Sequence, residues 1–99
     1  MGALLIEYRY DGDEEPWKKA IEEFLQNIAS DDLLKVRFSY QVMRRKDDPA
    51  QRIHIPRWFD DATLQHLQSR TWFKDFAAKI QGFAGGSLQT IPLTEEFST

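Results

Sequence analysis

Residues 58–76 read WFDDATLQHLQSRTWFKDF, and the phase of their apolar positions decides the fold. Asp60 or Asp61 can accept hydrogen bonds from the free amides of a first helical turn, so a helix starts there. At about 100° per residue, Leu64, Leu67 and Thr71 fall on one line. Trp72, Phe76, Ile80 and Phe83 lie roughly a third of a turn away from it. A single straight helix over 61–83 would therefore split its apolar surface. A break near Ser69, whose hydroxyl can cap a second segment, restores one stripe of Trp72, Phe73, Phe76, Ala77, Ile80 and Phe83. Gly82, Gly85 and Gly86 stop that segment.

Upstream, residues 52–58 read as a strand with Ile53 and Ile55 on one face and Arg52, His54 and Trp58 on the other. Pro56 places it at an edge or at its end. The polar run RRKDDPAQ turns the chain back onto residues 34–45, where Val36, Phe38, Tyr40 and Val42 alternate with Arg37, Ser39, Gln41 and Met43. Residues 3–10 alternate from Leu4 onward, with Leu4, Ile6, Tyr8 and Tyr10 in phase. Between them, Pro16 suits a first helical turn. Trp17, Ala20, Ile21, Phe24, Leu25 and Ile28 then recur at helical spacing until Ser30-Asp31-Asp32. Residues 87–93 form a last short strand.

The order is βαββαβ. A four-stranded antiparallel sheet with two helices on one face, the α+β ferredoxin-like arrangement, is the economical packing, and residues 1–99 read as a single domain. The covered sheet face is expected to hold Leu4, Ile6, Tyr8, Val36, Phe38, Tyr40, Ile53 and Ile55. His54 and Arg52 then fall on the opposite, polar face near Arg37, Arg9 and Glu7, at a dimer interface or barrel interior.

Composition removes several functions. The chain has no cysteine, so thiol nucleophiles, thiolate metal sites and disulfides are excluded. Its two histidines lie in no HxxxH or HExxH spacing, so no metal is expected. A net charge of −3 disfavours nucleic-acid binding. An RNA-recognition domain shares the element order, but RIHIPRWF lacks its Gly-aromatic run. No stretch approaches the ~20 apolar residues of a membrane span. The stretch MGALLIEYRY lacks a basic start followed by a long apolar run, so it is not expected to act as a signal peptide, and a cytoplasmic location is expected. No phosphate-binding glycine loop is present.

Three pieces together resemble the antibiotic biosynthesis monooxygenase (ABM) group of dimeric α/β barrels. The hairpin FSYQVMRRKDDPAQRIHIPRW is similar to that group's second and third strands. Trp58 closes the third strand eight residues before His66. His66-x-x-Ser69-x-x-Trp72, followed by Phe76, is similar to its His-x-x-Ser-x-x-Phe pattern, with Trp72 in place of Phe. The resemblance covers residues 38–80. It implies two copies packed sheet to sheet and a pocket between each sheet and its helices. It also implies, in some members, oxidation of phenols or quinols without metal or flavin. A haem-cleaving branch needs an iron-binding histidine where this chain has Phe76, and phenylalanine cannot ligate iron. No cofactor is expected.

His66 is the candidate catalytic base, since a neutral imidazole could take a phenol proton near neutral pH and leave an anion reactive toward O₂. The competing reading is that His66 packs against first-strand tyrosines and shapes the helix break. Trp58, Trp72, Phe76, Tyr8 and Tyr40 are the candidate substrate contacts, and Trp17, Phe73 and Phe83 could join them. At helical spacing such aromatics are more often plain core. Two functions follow: a cofactor-free monooxygenase acting on a small aromatic or quinol-type compound, or a non-catalytic homodimeric module that binds a small apolar ligand. An oxygenase should leave a pocket that His66 or Trp58 reaches; a structural module should fill it with Trp72 and Phe76.

Overall fold

The computed structural model describes residues 1–99. Strand β1 (Gly2–Arg9) leads into helix α1 (Glu14–Ala29) and the one-turn helix α2 (Leu34–Arg37). The hairpin β2 (Phe38–Arg44) and β3 (Gln51–Trp58) follows, then α3 (Asp61–Gln68), α4 (Thr71–Ala84) and β4 (Gln89–Thr94). The four strands form one antiparallel sheet in the order β2-β3-β1-β4. This is the ferredoxin-like α+β arrangement expected from the sequence. No helix is long and apolar enough to cross a membrane.

Local chemistry sets the helix limits. Asp13 accepts from the Glu15 amide at 3.1 Å, Glu14 and Glu15 favour the positive end of α1, and Pro16 falls in its first turn. The buried stripe Trp17, Ala20, Ile21, Phe24 and Ile28 faces the sheet. Asp60 caps α3, accepting from the Thr63 amide at 2.8 Å and the Thr63 hydroxyl at 2.6 Å. Gly85 ends α4 at φ 57°, a left-handed conformation that costs glycine little. Phe24 of α1 and Phe76 of α4 stack at 3.8 Å with their planes 7° apart, which joins the two main helices at the centre of the core.

The helix break falls where the apolar phase requires it, but Ser69 acts differently from expectation. Its hydroxyl donates to the His66 carbonyl at 2.7 Å, closing α3. Helix α4 starts from Arg70 with no side-chain cap. Residues 34–37 are also not strand: they form α2, and Val36 points to solvent, 73% exposed.

The larger correction concerns β3. Ile6 pairs with His54, Tyr8 with Arg52 and Tyr40 with Pro56, so Arg52, His54, Pro56 and Trp58 share the helix-covered face. Ile53 and Ile55, opposite Glu7 and Gln41, lie on the outer face. Arg37 is not on the sheet at all; its guanidinium lies over the Phe59 ring and 3.7 Å from Asp60. A buried arginine is tolerable here because its charge is met. Arg52 donates to both Glu14 carboxylate oxygens at 2.8 and 3.3 Å and to the Tyr10 carbonyl, and its guanidinium stacks over Trp17 at 4.4 Å. Hydrogen bonds from Arg52, then Arg44, hold the Glu14 carboxyl down to about 2.

Candidate functional site

Between the sheet and α3–α4 the core leaves a cavity of about 350 Å³. Its floor is Leu4, Ile6, Tyr40, Pro56 and Trp58, and Phe73, Phe76 and Ile80 roof it. Gln68, Gln81 and Thr90 are the exposed members of the lining, so they form its rim. β4 is exposed along its whole length, which leaves this side of the sheet thinly covered. None of the lining residues is charged. A space of this size and polarity suits a flat, neutral ligand of one to three rings.

Behind Tyr40 lies a polar cluster inside the core. His54 is fully buried, with Tyr8 Oη 2.9 Å from Nε2 and Tyr40 Oη 2.5 Å from Nδ1. Trp17 Nε1 donates to Tyr8 Oη at 2.7 Å. Four elements therefore converge: α1, β1, β3 and β2. Burial pushes the imidazole down to about 4, the Tyr8 phenol up to about 12, and the Tyr40 phenol upward as well. At neutral pH all three rings are uncharged.

Of the residues expected to contact substrate, Trp58, Tyr40 and Phe76 line the cavity. Tyr8 is committed to the polar cluster. Trp72 packs edge-on against Phe24 at 5.7 Å and is not among the lining residues. His66 lies elsewhere, in an open surface depression with Asp31 and Arg70. Its Nε2 is 2.9 Å from Asp31 Oδ2 and 3.0 Å from Arg70 Nη2. Partial burial would raise the Asp31 carboxyl, but bonds from His66 and the Leu34 and Leu33 amides outweigh it and hold the group below the usual range. The first-strand tyrosines expected as its packing partners are bonded to other groups.

His54 lies on the face opposite to the one expected, although the sequence carries a signal for the right one. Trp58 is expected at the ligand pocket, and a strand has period two, so a Trp58 under the helices brings His54 and Arg52 with it.

The fold is that of the antibiotic biosynthesis monooxygenases. A mutant form of SnoaB, a cofactor-independent oxygenase from Streptomyces nogalater, superposes with a TM-score of 0.78 at 11% identity, covering 98% of this chain and 94% of that one. A structure named antibiotic biosynthesis monooxygenase matches with a TM-score of 0.67 at 12% identity, over 97% and 99% of the two chains. Rv0793 from Mycobacterium tuberculosis matches at 0.77 with 10% identity, over 98% and 96%. No family model matches the sequence, and no curated protein matches it.

Proposed function

We propose that this chain is a single-domain, homodimeric, cofactor-free monooxygenase that oxidises a small neutral aromatic or quinol-type compound in the cavity beside Trp58. The observation that carries the reading is the uncharged cavity between sheet and helices, with Trp58, Tyr40 and Phe76 in its wall. It is supported by the likeness to an oxygenase named as cofactor-independent. In such a reaction one atom of O₂ enters the substrate, the other leaves as water, and the substrate supplies the electrons. For 1-naphthol the balance is naphthol plus O₂ giving 1,4-naphthoquinone and water, the para C–H becoming C=O.

A second reading, a homodimeric module that binds an apolar ligand without turning it over, is favoured by one observation: no charged side chain and neither histidine lines the cavity. His66, bonded to Asp31, then has a structural role, tying α3 to the segment after α1.

The test is incubation with 1-naphthol under ¹⁸O₂, against a no-protein blank. Catalysis predicts quinone carrying one ¹⁸O above the blank, and a Trp58→Ala variant that loses it. Naphthol binding without product above the blank selects the second reading. Where turnover occurs, His66→Ala at the wild-type rate removes His66 from the chemistry.

A further inference from the structure

The hydrogens of the buried cluster can be counted. Trp17 Nε1 only donates, so the Tyr8 oxygen accepts from it. The single hydroxyl hydrogen of Tyr8 then has one recorded partner, His54 Nε2. A neutral imidazole carries one N–H, which the Nε2 acceptor role places on Nδ1, and that N–H donates to the Tyr40 oxygen. The opposite arrangement would give Tyr8 two donors, Trp17 and His54, and leave its own hydrogen without an acceptor in a residue only 1% exposed. Either direction leaves one hydroxyl hydrogen over, and it costs less on Tyr40, which is half-buried and lines the cavity, than on buried Tyr8, so the chain runs one way: Trp17 to Tyr8 to His54 to Tyr40. The hydrogen left over is that of the Tyr40 hydroxyl. Tyr40 is also the one member of the cluster that lines the cavity.

We propose that Tyr40 is the polar recognition residue of the cavity and donates a hydrogen bond to an acceptor oxygen of the ligand, which selects aromatic ketones, quinones and their oxyanions over hydrocarbons of the same shape. Tyr8, His54 and Trp17 are positioning residues: they consume every other hydrogen and fix the direction of the last one. The proposal rests on the reading of the cavity as a ligand site, but not on whether turnover occurs.

The probes are 1-tetralone and tetralin, which share a bicyclic skeleton and differ by one carbonyl. Dissociation constants come from the shift of the Trp58 indole signal in the wild-type protein and in Tyr40→Phe. The expected result is that Tyr40→Phe moves the tetralone-to-tetralin preference roughly fivefold toward tetralin, the size of one net hydrogen bond. Binding of both probes with an unchanged preference overturns the proposal and leaves the cavity reading intact. Failure of both probes to shift Trp58 in the wild type overturns the two together. A measurement on the unmodified chain keeps the idea exposed if Tyr40→Phe does not fold. In protein labelled with ¹⁵N-histidine, the His54 ring should carry its proton on Nδ1 with Nε2 bare. Since the chain has two histidines, His66→Gln assigns the signals. A proton on Nε2 means that Tyr40 spends its hydrogen on His54, and the proposal falls.

Discussion

The Trp58 indole covers the backbone of Gly2, its cross-strand partner, so closely that a Cβ built at position 2 would lie 2.2 Å from Nε1. Only hydrogen fits there. Because Trp58 forms part of the cavity wall, the first strand sets the shape of the ligand site through a residue that has no side chain. Gly2→Ala must displace the indole. Overpacking of this kind costs about 1–3 kcal/mol. The expected outcome is a lower urea midpoint and a changed Trp58 indole resonance, with the Trp17 and Trp72 resonances unmoved. An unshifted Trp58 signal would contradict the close approach.

Stability should fall as the solution is acidified, and His54 sets the first window. Its ring is buried with Tyr8 and Tyr40 against its nitrogens, Phe76 stacked beside it and no carboxylate bonded to it. The folded form takes a proton only near pH 4, whereas an unfolded histidine takes it near 6.5. The folded pKa is depressed, so the contribution is complete above about pH 6.5 and is lost as pH falls toward 4. The size is on the order of 3 kcal/mol. Glu14 acts lower: its contribution is present above about 4.5 and is lost toward 2. Urea midpoints measured between pH 7 and 4.5 should therefore decline in wild type and stay flatter in His54→Gln. Equal slopes in the two proteins would remove His54 as the cause.

Asp60 gives a local test of the helix start. Its carboxylate meets both the amide and the hydroxyl of Thr63, and these bonds, the hydroxyl's first, hold it below the usual carboxylate range. Asp60→Ala should lower the denaturation midpoint, and Asp60→Asn should recover most of the loss, because the amide oxygen can still accept. The check is chemical denaturation at neutral pH. A full loss in the asparagine variant would point instead to the charge, which faces Arg37.

Element order, the four-stranded sheet, the α3–α4 break and the Asp60 start were legible because each rests on a local period or a cap within a few residues. The face of β3 was not legible. Apolar content is the usual mark of a strand's buried side, but β3 carries Ile53 and Ile55 on its outer face and a buried arginine and histidine on the helix-covered one. What makes Arg52 and His54 acceptable inside is Glu14, Tyr8, Tyr40 and Trp17, all at least nine residues away from their partners and joined only by the fold. Ser69 was misassigned for a different reason: a serine between two helices can close one or open the other, and the sequence alone does not distinguish the two. The cavity residues Trp58, Tyr40 and Phe76 could be named as aromatics in phase. The role of His66 could not be read, because its partner Asp31 lies 35 positions away.

The outer face of the sheet provides the last test. Leu5 and Ile91 are paired on it, as are Ala3 and Leu93, and Ile53 and Ile55 continue the patch on β3. Glu7, Arg9 and Arg57 stand on the same face. Ile91 and Leu93 are each more than 40% exposed in the single chain. An apolar sheet face with charges among it is the form of a buried interface, and a second copy of the chain offers the same surface in return. A dimer formed through this face would also remove Ile53 and Ile55 from water. The wild-type protein should sediment at twice the chain mass at micromolar concentration. Ile55→Lys, opposite Gln41 in the middle of the face, should sediment as a monomer with an unchanged circular dichroism spectrum, since the side chain lies outside the helix-covered core. A wild-type monomer under those conditions would count against the dimer while leaving the cavity and its polar chain untouched, because every residue of both belongs to one chain.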